Sequence, residues 1–179
     1  MPDTTIKKLP VKFNSFSDLD KIHRIADTLF VEHQIACMSN HWDNALHKLE
    51  IMYELRMQNI RDEEQHLIPL YQSKSDEIPK GGALKFFVRE HKLIRKKLDF
   101  LIRNLSDIVL NESWDSVNLV ELFEDYHSFK DLLDHHDSRE RVFLYTLLDE
   151  KVDTVSRKSV LRKINAIHID LMNKIGLPV

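Results

Sequence analysis

Glycine and cysteine are nearly missing from this chain: its 179 residues include three glycines (Gly81, Gly82, Gly176) and one cysteine, Cys37. So little glycine, with only five prolines, leaves few points where a long helix must stop. A lone cysteine excludes an internal disulfide framework and fits a reducing compartment. No apolar run approaches the length of a membrane span, and the opening MPDTTIKKLPVKF lacks the apolar stretch of a signal peptide, so a cytoplasmic location is expected. Positive charge is not in excess either. The formal net charge of −3 gives no electrostatic reason to expect nucleic acid or an anionic membrane as a partner. What is present, 42% apolar and 31% charged residues, suits one helical domain large enough to bury a core. Histidine, by contrast, is plentiful, and its ten copies are the first pointer to metal.

Helical periodicity recurs along almost the whole chain. Residues 1–16 read as an N-terminal arm whose Phe13 and Phe16 can dock on the helical bundle. Ser17 and Asp20 form a capping pair for a first helix with the stripe Ile22, Ile25, Ala26, Leu29 and Phe30. The turn-like stretch Ser39 to Asn44 precedes a second helix, about 44–72, in which Pro69 loosens the last turn. After the loop SKSDEIPKGG, a third helix covers about 82–108, with Leu84, Phe87, Val88, Ile94, Leu98, Leu101, Ile102 and Leu105 on one face. A turn around Asn111 to Ser116 leads into a fourth helix reaching about 149. A fifth, about 154–175, carries Leu161, Ile164, Ile167, Leu171 and Ile175 and stops at Gly176 and Pro178. Trp42 and Trp114 occupy equivalent turns at the far end. Two helical hairpins in succession predict an all-α chain: an antiparallel up-down four-helix bundle over residues 17–150, with an additional C-terminal helix in 151–179 packing on the bundle or on a partner.

The two hairpins also repeat each other. Asn59-Ile60-Arg61-Asp62-Glu63 lines up with His136-Asp137-Ser138-Arg139-Glu140, each with a metal-capable side chain four residues before a glutamate. Four residues apart on a helix share a face, so His136 and Glu140 can reach one ion together, and Glu63 stands at the matching place. His91 lies on the apolar face of the third helix. Depth can be compared through the helical rise, since residues that meet on antiparallel neighbours are equidistant from the turn between them. The midpoint of His91 and His136 falls between residues 113 and 114, at the predicted turn. His23 and Asn59 centre on residue 41, also a turn, whereas His33 and Asn59 centre on residue 46, inside a helical stretch. Geometry therefore prefers His23, although Phe30-Val31-Glu32-His33 resembles Phe87-Val88-Arg89-Glu90-His91 in wording. The candidate metal ligands are His23, Glu63, His91, His136 and Glu140.

Taken together, His23, Asn59-xxx-Glu63, His91 and His136-xxx-Glu140, with the phrases EEQHLIPLY and REHKLIRKKL, resemble the hemerythrin-like (HHE cation-binding) family over nearly all of residues 17–149. The resemblance implies non-haem iron, as two ions bridged by the two glutamates with histidines in the outer positions. It also implies binding or sensing of a small diatomic or peroxide ligand (oxygen, peroxide or nitric oxide), or a part in iron and redox stress. This chain departs from the pattern at Asn59, where a histidine is expected, and at Arg95, where the oxygen carriers have a further histidine. His66, three residues past Glu63, is read as a helix-end histidine, and His41, His47, His127, His135 and His168 as surface or interface residues. Cys37 is read as a buried small apolar residue.

Two other readings compete. A ferritin-like di-iron oxidase or ferroxidase needs a Glu-xx-His pair from each of two helices. Glu63-xx-His66 and Glu124-xx-His127 have that spelling but lie at different depths. A metal-free interaction module would use the fifth helix to pair with a second copy as a homodimer.

Overall fold

The first folded turn begins two residues earlier than Ser17 and Asp20 predict. In the computed structural model, which describes residues 12–74, 76, 78–111 and 116–177, Ser15 is the cap. Its hydroxyl accepts from the Asp18 N–H at 3.2 Å, while the Asp18 carboxylate accepts from the N–H groups of Asn14 and Ser15 at 2.8 and 3.2 Å. Three residues of separation let each side chain satisfy a donor the helix start would leave unpaired. Asp20 is drawn away by Arg24 and Arg141. Phe13 and Phe16 are buried, and their N–H groups donate to Asn165 and Asp149, so this end of the arm is tied down. Residues 1–11 of the expected arm lie outside the described residues.

A 3₁₀ turn, Phe16–Leu19, leads into α1 (Asp20–Met38), followed by α2 (Trp42–Asp62), α3 (Ile68–Gln72), α4 (Leu84–Asn111), α5 (Ser116–Arg139), α6 (Thr146–Lys151) and α7 (Thr154–Lys174). The chain is all-helical, with no strand among the described residues. Asn40, at φ 56°, makes the left-handed turn between α1 and α2, a conformation asparagine tolerates better than most residues. Trp42 is half-buried against the core, while Trp114 and the turn around it fall outside the described residues. No helix here is long and apolar enough to cross a membrane.

The sequence repeat has a structural counterpart that periodicity did not reveal. Between α2 and α3, and again between α5 and α6, the helix widens into a π turn, at Glu63–Leu67 and at Glu140–Tyr145. Each begins on the glutamate of the repeat. Pro69 follows the first but nothing like it follows the second, so proline is not the common cause. Such turns bond i to i+5 and concentrate at functional sites.

Packing runs α1 on α2, α2 on α4, and α4 on α5, with α7 against α2. The faces differ in detail from the predicted stripes. On α7 the buried side is Leu161, Ile164, His168 and Met172, while Ile167 is 36% exposed; on α4, Val88 is 41% exposed. His168 is therefore not a surface residue. Its Nε2 lies 2.8 Å from Asp62 Oδ2, a partner that offsets the cost of burying a polar ring and that spacing alone could not reveal.

The glycine pair before α4 is needed for close approach. A Cβ on Gly82 would lie 2.3 Å from the Tyr71 hydroxyl, and one on Gly81 2.6 Å from the Phe143 ring. The Tyr71 ring is held in place, its hydroxyl donating to the Gly82 carbonyl at 3.1 Å. Gly82→Ala is expected to cost about 1–3 kcal/mol through overpacking, read as a lower urea midpoint at unchanged slope.

Candidate metal centre

Four helices bring their candidates to one place. His23 comes from α1, Glu63 from the first π turn, His91 from α4, His136 from the end of α5 and Glu140 from the second π turn. All five are buried. Ligand-capable atoms of Glu63, His91, His136 and Glu140 all lie within 4.8 Å of one another, and His23, Asp137 and Glu140 form a second such group. The rings of His91 and His136, which the midpoint argument paired, are 4.9 Å apart between centroids.

Among the described residues, Glu140 is the glutamate that belongs to both groups. Glu140 Oε1 lies 2.8 Å from His136 Nε2 and 3.7 Å from His91 Nε2, while its Oε2 lies 3.2 Å from His23 Nε2. Glu63 Oε2 lies 3.2 Å from His91 Nε2, and its Oε1 accepts from the Asn59 amide at 2.5 Å and the Tyr145 hydroxyl at 2.9 Å. Tyr145 also reaches Glu140 Oε2 at 3.0 Å. In a regular α-helix, five residues would swing Tyr145 about 140° away from Glu140. The π turn cancels that rotation, which is why sequence reasoning missed Tyr145.

The outer nitrogens of the histidines meet carboxylates that were also missed. His91 Nδ1 lies 3.0 Å from Glu64, and His136 Nδ1 lies 3.2 Å from Glu90. His23 Nδ1 is 3.6 Å from Asp137 and 3.8 Å from Asp20. Arginines hold these carboxylates in turn: Arg95 on Glu64, Arg139 on Glu90, Arg56 on Asp137, and Arg24 with Arg141 on Asp20. At His91 and His136 a carboxylate on Nδ1 turns Nε2 inward, so that loss of the inner proton leaves its lone pair facing the cluster, the arrangement that orients metal-ligating histidines. There was a signal for this. Glu64, Glu90 and Asp137 are each sequence neighbours of a candidate ligand, and each serves the histidine of a different helix. Arg95, which stands where the oxygen carriers have a histidine, is paired with Glu64.

Charge in the cluster is finely opposed. Burial pushes Glu63 up to about 8, helped by the negative charge of Glu140. Burial also acts on Glu140, but the charge and hydrogen bonds of His136 and His91 outweigh it and hold the carboxyl well below its usual range. Burial disfavours charging His136 and His91, yet Glu140 and Glu63 overcome it and lift them to about 10 and about 9. His23 goes the other way, lowered by burial and by the Arg56 charge against the pull of Asp137 and Glu140. Burial beside two carboxylates raises the Tyr145 phenol. Glu63 Oε2, His91 Nε2 and Glu140 Oε1 are buried and face one another and His136 Nε2, with no hydrogen-bond partner outside the cluster. Inward atoms that meet only one another are what a cation would bridge once it displaced the imidazole protons, so the residues present fit a metal ion.

The remaining candidates lie elsewhere. His33 Nδ1–H donates to the Ala45 carbonyl at 2.8 Å, and the ring stacks on Phe30. His66 is half-buried and outside both groups, and His41, His47, His127 and His135 are exposed. Glu124 is exposed with His127, so the two Glu-xx-His spellings do not meet in one layer. Cys37 is buried and its thiol is pushed up to about 11 by burial. Burial likewise lowers His33 to about 4. Because its folded value is depressed, protons bind the unfolded chain first as pH falls below about 6.5. Stability should drop by up to about 3 kcal/mol between about pH 6.5 and 4 on this account. Urea unfolding of His33→Gln across that range is expected to show the shallower slope. Compared with family models, curated proteins and solved structures, the chain matches none of them.

Proposed function

We propose that this chain is a non-haem iron protein of the hemerythrin-like kind, an antiparallel up-down four-helix bundle that binds or senses oxygen, peroxide or nitric oxide. One observation carries the reading: two imidazoles and two carboxylates from different helices turn their inner atoms on one buried point, where those atoms lie within 4.8 Å of one another. Imidazole with carboxylate suits iron among the divalent metals. Ferrous iron held this way supplies an electron-rich centre for a small diatomic. The residues do the rest. Glu64 and Glu90 orient the His91 and His136 rings, near-complete burial keeps bulk water out, and the Tyr145 hydroxyl offers a proton donor at the centre's edge. Exposure of Glu124 and His127 weighs against a ferroxidase of ferritin type.

The test is the metal content of protein purified without oxygen. Iron is expected to co-purify with the wild type and with His33→Ala, and to fall by at least about tenfold in His136→Ala and Glu63→Ala. Loss of iron from His33→Ala with retention in His136→Ala would overturn the proposal.

A further inference from the structure

The two halves of the centre differ in what already fills them. From that difference we propose that it takes a single ion, among Glu63 Oε2, His91 Nε2, His136 Nε2 and Glu140 Oε1, with the His23 half closed to a second by the protein's own donors. The inference rests on the reading that the centre binds metal.

In the first half, the inward atoms of Glu63, His91 and Glu140 meet only other ligand-capable atoms, Glu63 Oε2 at 3.2 Å from His91 Nε2 and Glu140 Oε1 at 2.8 Å from His136 Nε2, and no donor from outside the ligand set occupies them. In the second half the inward oxygens and His23 Nε2 already face donors from outside the ligand set, the two glutamates sharing the Tyr145 hydroxyl, while His23 Nδ1 has no hydrogen-bond partner. Glu63 Oε1 accepts from Asn59 at 2.5 Å and Tyr145 at 2.9 Å, Glu140 Oε2 accepts from Tyr145 at 3.0 Å, and His23 Nε2 faces the Asn59 amide at 3.1 Å. The one further carboxylate of that group, Asp137, carries Arg56 on both oxygens, at 2.8 and 2.9 Å. Arg56 is 2% exposed, so a full positive charge already sits beside His23. A second ion would have to displace two buried donors, stranding them without partners, and enter against that guanidinium. Asn59 is thus more than a missing ligand: with Tyr145 it supplies in hydrogen bonds what a second ion would supply in coordination.

Stoichiometry decides the matter. Metal-free full-length protein, loaded anaerobically with excess ferrous iron and desalted, should hold about one iron per chain. About two overturns the single-ion inference while leaving metal binding intact, and none overturns both. A second arm uses Asn59→His with Tyr145→Phe, which exchanges the two blocking donors for a ligand and an inert ring. The folded double variant should rise to about two irons per chain, and a value that stays at one overturns the role given to Asn59 and Tyr145. Should that variant not fold, air-oxidised wild type and Tyr145→Phe are compared in the visible. The wild type should show no phenolate-to-iron absorption. A band that Tyr145→Phe removes would make Tyr145 a ligand and overturn its role as a blocking donor.

Discussion

Replacing Arg56 with alanine should lower the unfolding free energy of the metal-free protein by about 3–5 kcal/mol, enough to bring its melting temperature down by roughly 10 °C or more. The guanidinium is among the largest fully buried side chains, and it meets Asp137 through two hydrogen bonds and Asp27 at 3.5 Å. A buried ion pair gains little over a well-packed apolar pair, because desolvation offsets most of the attraction. Removing one partner is another matter. Asp137 would keep its charge in the interior next to Glu140, answered only by His23 and the more exposed Arg141. The Arg56→Met, Asp137→Leu pair therefore should cost less than Arg56→Ala alone, despite changing two residues. A double variant at least as destabilised as the single would mean that packing around the guanidinium, and not its charge, carries the effect.

How far the sequence went depends on which contacts are local. Helices at 3.6-residue spacing were readable because scarce glycine and proline left the apolar stripes unbroken. The convergence of His91 with His136, and of His23 with Asn59, followed from helical rise and the turns alone. What failed involved a change of helical pitch or a partner far along the chain. Tyr145 required the π turn, since on a regular helix it would face away from Glu140. His168 required Asp62, 106 residues away, without which a histidine on a C-terminal helix reads as exposed. Ser15 displaced Ser17 as the cap because Asp18, and not Asp20, was free to complete the box. Glu64 and Glu90 were legible in position but not in role, for each orients a ring on a neighbouring helix.

Ferrous iron should raise the melting temperature of the wild type sharply, and Glu140→Gln should abolish the rise. An ion present at about a thousand times its dissociation constant stabilises the folded state by about 4 kcal/mol, which for a chain of this size is roughly 8–16 °C. Glu140 is the residue to change because it alone belongs to both groups of ligand-capable atoms, one oxygen turned to His91 and His136 and the other to His23. Its loss therefore reaches the ion whether one or two are bound. Glutamine keeps the shape but presents a neutral amide, and a hard cation loses its most negative ligand. Outer carboxylates should matter less: Glu64→Gln leaves His91 as a ligand but frees its Nδ1, for an expected 10- to 100-fold loss of affinity (about 1.4–2.7 kcal/mol), which removes only part of the shift. His33→Ala, remote from the centre, should melt lower than wild type without iron yet gain as many degrees when iron is added. Full retention of the iron-induced rise in Glu140→Gln would place the ion outside these side chains, whatever the histidines of the interior are for.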